Sequence, residues 1–186
     1  MNKLLALSAA LALAALSTTA QAAQAPGGFL RAEIGNSDVE LSAGAARASE
    51  EDTAAAFGGG YWFNANVGLE GHIGVLYNTS MGYGEELDIV TAGFGVVGKH
   101  NFGANGLGFF VGGRAGVARM TVQLREEDDY EVIEDDHSTK PYFGINAGYD
   151  FSQRFGLSLN LGRHTGEFDG IDVDVDTVTV GGEFRF

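Results

Sequence analysis

From Phe29 onward, apolar and polar side chains alternate along the chain with a period of two, in stretches divided by turn-forming residues. Alternation of this kind puts successive side chains on opposite faces of a strand. It predicts eight strands, over about 29–41, 53–63, 67–78, 86–100, 107–124, 139–151, 155–166 and 172–186. In the first, Leu30, Ala32 and Ile34 share a face opposite Arg31 and Glu33. In the second, Ala55, Phe57 and Tyr61 share one. In the third, Val67, Leu69, Ile73, Val75 and Tyr77 lie opposite Glu70 and His72. The fourth alternates most weakly, with Val90, Ala92, Phe94 and Val96 on one side. Phe109, Val111, Ala115 and Val117 oppose Arg114. Phe143, Ile145, Ala147, Tyr149 and Phe151 oppose Tyr142, Asn146 and Asp150. Phe155, Leu157, Leu159 and Leu161 alternate with Gly156, Ser158, Asn160 and Gly162. Val178, Val180, Phe184 and Phe186 close the series. No 3.6-period stripe follows the first residues, and no later run is long and apolar enough for a membrane helix.

The connections alternate too. Those after strands two, four and six are short, such as Asn64-Ala65-Asn66 and Ser152-Gln153-Arg154. Those after the odd-numbered strands are longer and read as loops, one of them strongly acidic over 125–137. An even strand count with short turns at one end and long loops at the other is the layout of an outer-membrane barrel. The fold class expected is therefore all-β: an eight-stranded antiparallel up-and-down transmembrane β-barrel. A soluble sandwich or a lipocalin-like barrel would show the same alternation with its apolar face turned inward. Here the polar face carries Gly, Ser, Asn and charges of both signs, a poor dry core, while the other face is nearly uncharged, as lipid requires. Aromatic residues at strand ends (Tyr61, Trp62, Phe63, Tyr77, Phe102, Phe151, Phe155) read as interfacial girdles.

Composition sharpens this picture. The first residues, Met1-Asn2-Lys3, an apolar run from Leu4 to Leu16 and Ala20-Gln21-Ala22, have the parts of a secretory signal peptide. The apolar run is too short for a membrane anchor. Cleavage is expected after Ala22. A cut after Ala25 is disfavoured by Pro26. The domain division is then 1–22 for the signal peptide and 23–186 for the barrel. Glycine accounts for 29 of 186 residues and proline for 2, against a usual glycine share of about 7%. Glycine at that density inside apolar strands suits a narrow barrel with little room for side chains. There are no cysteines, and the net charge of −14 speaks against nucleic acid.

The final residues, Thr179-Val180-Gly181-Gly182-Glu183-Phe184-Arg185-Phe186, resemble the C-terminal assembly signal of outer-membrane barrels, with Thr179, Gly181, Phe184 and Phe186 in the signal positions. The stretch from Phe57 to Gly71 resembles the second hairpin of OmpA-type barrels. The chain is thus similar in layout to the OmpA/OmpX-like small outer-membrane barrels of Gram-negative bacteria, as a barrel-only member without a peptidoglycan-binding domain. The resemblance implies an outer-membrane address, insertion by the barrel-assembly machinery, and a lumen glutamate, Glu70, paired with basic residues. The basic position expected on strand seven is not evident, since Ser158 lies near it.

Three places hold candidate chemistry. By strand phase, Arg31, Glu33, Glu70, His72, Arg114, Asn146, Asn160, Glu183 and Arg185 form a polar lumen. It reads as a packed plug, with a small passive pore as the alternative. The acidic stretches offer oxygen ligands suited to weak Ca²⁺ or Mg²⁺ binding at Asp128, Asp129, Asp135, Asp136, Asp172, Asp174 and Asp176, though without EF-hand spacing. No other cofactor is expected. Catalysis is not expected: none of His72, His100, His137 and His164 is followed two residues later by Ser, the pair used by a lipid A deacylase barrel. The function read from the sequence is a monomeric envelope barrel with a structural or surface-interaction role. Its partners would be outer-membrane lipid and lipopolysaccharide, and an extracellular ligand or host surface.

Overall fold

The computed structural model describes residues 26–43, 46–82, 85–103, 106–126, 129–168 and 171–186. The expected signal peptide over 1–22 and Asp128 lie outside them. Eight strands, β1 (Gly27–Ala43), β2 (Ala46–Trp62), β3 (Val67–Gly82), β4 (Glu85–Asn101), β5 (Gly108–Glu126), β6 (Asp129–Asp150), β7 (Phe155–Phe168) and β8 (Ile171–Arg185), pair antiparallel in sequence order. β8 returns to β1, from Phe29–Arg185 to Ser42–Asp172, and closes the barrel.

One end is held by short turns. The Asn64 side chain accepts hydrogen bonds from the amides of Asn66 (2.8 Å) and Val67 (2.9 Å), and the Ser152 hydroxyl accepts from Phe155 (3.0 Å). Local side-chain acceptors of this kind stand in for the missing ladder. The third short connection uses Gly106 (φ 70°) and Gly108 (φ 89°), a backbone region open mainly to glycine. Above these turns the outward face is apolar. Phe109 to Val117 on β5, Phe143 to Phe151 on β6 and Val178 to Phe186 on β8 are exposed at alternate positions. Each run matches the 9–11 tilted residues that span about 30 Å of hydrocarbon.

The strands do not stop at the membrane. The segments expected as long loops are instead β-ribbons, and most of the acidic stretch 125–137 belongs to β5 and β6. The reason lies on the inner face. Beyond the apolar band the polarity of the two faces inverts. On β8, Asp172, Asp174 and Asp176 point outward while Val173 and Val175 are buried; below them Val178 and Val180 point outward and Thr177 and Thr179 inward. β1 inverts likewise between Ile34 and Asn36, with Val39 inside. Beyond the band, in water, the ribbons bury an apolar core of Val39, Leu76, Tyr77, Ile89, Met120, Phe168, Val173 and Val175. Each such side chain contributes about 1.5–3 kcal/mol.

The wall changes form at the same level. The β2–β3 ladder ends at Ala55–Val75 and the β6–β7 ladder at Phe143–Arg163, whereas the other six continue toward the strand tips. The extension is therefore two four-stranded sheets, β7-β8-β1-β2 and β3-β4-β5-β6, facing each other across the apolar core. Side chains stitch both seams. Asp52 accepts the Asn78 amide (2.7 Å), and Tyr77 hydrogen-bonds Glu50. Ser138 accepts the Glu167 amide (3.0 Å), and Lys140 pairs with Glu167 (2.6 Å). Pro141, just above the end of the second ladder, has no N–H to extend a ladder with.

Two aromatic side chains, Tyr77 and Trp62, face inward rather than into the expected outer girdle. Tyr77 was expected outward with Val75, but a bulge between them shifts the register and turns Tyr77 into the core, where it is 5% exposed. Trp62 was expected in the girdle; it lies on the inner phase of β2 and is 2% exposed. Tyr61, Phe63, Phe102, Phe151 and Phe155 do face outward.

Candidate functional site

The lumen at membrane level holds four carboxylates and four basic side chains. Glu33, Glu70, Asp150 and Glu183 face Arg31, Lys99, Arg114 and Arg185. Each comes from the inner phase of its strand, so six of the eight strands converge these charges without any loop. Nearest the short turns, Asp150 takes Lys99 (2.9 Å), Asn101 (2.7 Å) and Arg185. The Lys99 ammonium lies over the Trp62 and Phe110 rings, 5.1 and 5.4 Å from their centroids, within cation–π range. Glu183 links this group upward. It accepts from Arg185 (2.5 Å), Arg31 (2.7 Å) and the Trp62 indole (3.3 Å).

Arg31 bridges Glu183 and Glu70 (2.8 Å), and Glu70 also accepts the Tyr142 hydroxyl (3.1 Å). Arg114 holds Glu33 in a two-pronged contact at 2.8 and 3.0 Å. Thr179 donates to Glu33 (3.0 Å) and accepts from Asn160 (3.3 Å). Asn146 sits opposite Asn160 in the ladder, with its Oδ1 lacking a partner. Among the described residues, voids of about 20 and 10 Å³ lie between these charges, and Arg31 and Arg114 line both. A water needs about 10–15 Å³, so each void holds about one.

Glycine makes these contacts fit. A Cβ on Gly60 would meet the Phe29 ring at 2.8 Å, and one on Gly148 the Phe110 ring at 2.6 Å. Large inward rings sit against bare backbone, which an eight-stranded lumen demands.

The expected lumen residues Arg31, Glu33, Glu70, Arg114, Asn160, Glu183 and Arg185 come together in this network, and His72 lies just above it. Sequence reasoning left out Lys99, Asn101, Tyr142, Asp150 and His164. The strand phase that placed Asn146 inward places Tyr142 and Asp150 inward too. Lys99 was obscured by the glycines around it in β4. The Glu70 partner missing from strand seven is Arg31, on β1.

The terminal residues divide by face. Thr179 and Gly181 point into the lumen; Phe184 and Phe186 point outward, and the Phe186 amide donates to Gly28 (2.9 Å). Of the metal candidates, the side chains of Asp129 and Asp135 fall, like Asp128, outside the described residues. Asp136 is exposed, and Asp172, Asp174 and Asp176 lie on the outer face of β8, where Asp176 pairs with Arg163 (2.7 Å). Among the described residues, no three of His, Cys, Asp and Glu converge on a metal position. His72 makes no hydrogen bond through either nitrogen and His164 none through Nδ1, so neither serves a hydroxyl as base through those atoms.

The family model for the outer membrane protein beta-barrel domain matches residues 8–186. Among solved structures, Neisserial surface protein A is similar at a TM-score of 0.61 and 14% identity, over 87% of this chain and 99% of that one. Ail of Yersinia pestis, solved with the heparin analogue sucrose octasulfate, gives 0.55 and 12%, over 86% and 99%. OprG of Pseudomonas aeruginosa gives 0.54 and 13%, over 86% and 96%. At such identities the likeness is one of fold. No curated protein is matched by sequence.

Proposed function

We propose that this chain, which belongs to the outer membrane protein beta-barrel domain family, is a plugged barrel of the bacterial outer membrane that acts through its extracellular two-sheet extension. The role is structural or interactive at the cell surface. The observation that carries this reading is the lumen: Glu33, Glu70, Asp150 and Glu183 are all paired there, and the two voids between them each hold about one water. Little is left to conduct, while the ribbons above the membrane form a sheet surface of the kind recognition uses.

Charge bears on the partner. Ail was solved with a polysulfated ligand. Here the outer face of β8 and β1 presents Asp172, Asp174, Asp176 and Asp38, which repels polyanions and favours a cationic surface. Loose association of Ca²⁺ or Mg²⁺ with Asp172, Asp174 and Asp176, close to lipopolysaccharide phosphates, belongs to the same proposal. So do the finer likeness to OmpA/OmpX-type barrels, a monomeric state, export through a signal peptide over 1–22, and insertion by the assembly machinery through Thr179, Gly181, Phe184 and Phe186.

The test is complementation. A strain lacking the protein is compared for detergent sensitivity and surface adherence with strains carrying the full chain or a barrel whose ribbons are trimmed to the apolar band. Rescue by the full chain alone supports the proposal. Full rescue by the trimmed barrel overturns it.

A further inference from the structure

Directly above the paired charges, two imidazoles and a phenol ring form one layer of the lumen. His72 on β3, Tyr142 on β6 and His164 on β7 meet there. The imidazole centroids are 5.8 Å apart with planes at 74°. The Tyr142 ring lies 4.9 Å from His72 and stacks at 6° on His164, 5.4 Å away. Gly93 leaves room for the His72 ring, since a Cβ there would come within 2.8 Å of Nε2.

Both nitrogens of His72 and Nδ1 of His164 are buried without a hydrogen-bond partner, and His164 as a residue is only 5% exposed. Thr91, two residues along β4 from Gly93, adds a buried hydroxyl that also has none. Each unpaired buried polar atom costs about 1–3 kcal/mol, so three such atoms on two neighbouring imidazoles point to an occupant. The surrounding charges do not supply one. Glu70 is taken by Arg31 and Tyr142, and Glu33 by Arg114 and Thr179.

We propose that His72 and His164 bind one late first-row transition-metal ion, such as Cu²⁺, Zn²⁺ or Ni²⁺, across the lumen. Imidazole nitrogen is the donor these ions prefer. A metal–nitrogen bond of about 2.0–2.1 Å sets an ion about 3.2 Å from each ring centroid. One ion therefore spans centroids up to about 6.4 Å apart, and the observed 5.8 Å falls within that reach. The Tyr142 ring, packed on both imidazoles, carries a further oxygen donor, hydrogen-bonded to Glu70. Because β3 and β7 belong to different sheets of the extension, the ion staples the two sheets at the level where the wall divides.

The mature chain refolded in detergent, with folding checked by heat modifiability, is titrated calorimetrically with Cu²⁺, Zn²⁺ and Ni²⁺ in turn. One ion per barrel is expected, with a tenfold or greater loss of affinity in His72→Gln and in His164→Gln. His100→Gln and His137→Gln should leave it unchanged. Since a lumen variant can fail to fold, Cu²⁺ paramagnetic resonance on the unmodified protein provides the second measurement, and two coupled imidazole nitrogens are expected. Absence of saturable binding up to 0.1 mM metal overturns the proposal and leaves water as the occupant of the layer. A resonance spectrum without two nitrogens, or binding indifferent to both lumen variants, overturns it as well.

Discussion

Replacing Glu183 by Ala tests the lumen network at its most connected point. Glu183 accepts from Arg31, Arg185 and the Trp62 indole, and its side chain is 10% exposed. The substitution leaves three carboxylates facing four cations. Arg31 keeps Glu70 and Arg185 keeps Asp150, so neither cation loses every partner, but one positive charge becomes uncompensated in a narrow, nearly dry space. Removing one partner of a buried pair costs about 3–5 kcal/mol. The enlarged void, next to one already near 20 Å³, admits water and moves the expected loss to the lower end, about 3 kcal/mol. Reversible urea unfolding of the refolded barrel, followed by tryptophan fluorescence of Trp62, is the assay. With a slope of about 2 kcal/mol/M the midpoint falls by about 1.5 M while the slope stays constant. Glu183→Gln keeps the shape and part of the acceptor geometry and should lose less. A loss below about 1 kcal/mol for Glu183→Ala, the scale of an exposed pair, would refute the view that these charges are structural partners screened from water.

Other expectations follow from the same geometry. Gly60→Val drives a side chain into the Phe29 ring and the backbone of β3, and should abolish the heat-modifiable band on refolding. Val175→Asp puts an unpaired carboxylate at a position with 0% exposure. It should let protease cleave the extension on intact vesicles while the apolar band stays protected, and equal resistance in both proteins would contradict the two-sheet core. The exposed pair of Lys140 and Glu167 sits beyond the membrane; their mutual hydrogen bond holds the Glu167 carboxyl below, and the Lys140 ammonium above, its ordinary value. A depressed carboxyl contributes above its unfolded range and loses this as pH falls through the folded value. A raised ammonium contributes below its unfolded range and loses this as pH rises through the folded value. Carboxyl-detected titration of Glu167 should show the downward shift and lose it in Lys140→Ala, with no measurable change in stability near neutral pH.

The strand count and the membrane-level lumen were legible because the two faces differ sharply there. Arg31 and Glu33 between Leu30, Ala32 and Ile34 leave one phase open. The extension is less legible because polar stretches read as loops, and most of 125–137 instead lies in β5 and β6. On β8, by contrast, Asp172, Asp174 and Asp176 alternate with Val173 and Val175, and the strand is read from 172 onward as found. Tyr77 was misplaced by a single bulge, which alternation cannot anticipate, since one extra residue flips every side chain beyond it. The imidazole layer was invisible for another reason. His72 and His164 lie on strands three and seven, and only the register of the closed barrel brings them together.

Whether paired charges close the lumen is decided by planar-bilayer recording of the refolded wild-type barrel. No steady conductance is predicted at moderate voltage and physiological salt, with brief openings appearing in Arg114→Ala, which removes a side chain common to both voids. A steady, ohmic channel in the wild-type protein would contradict the account.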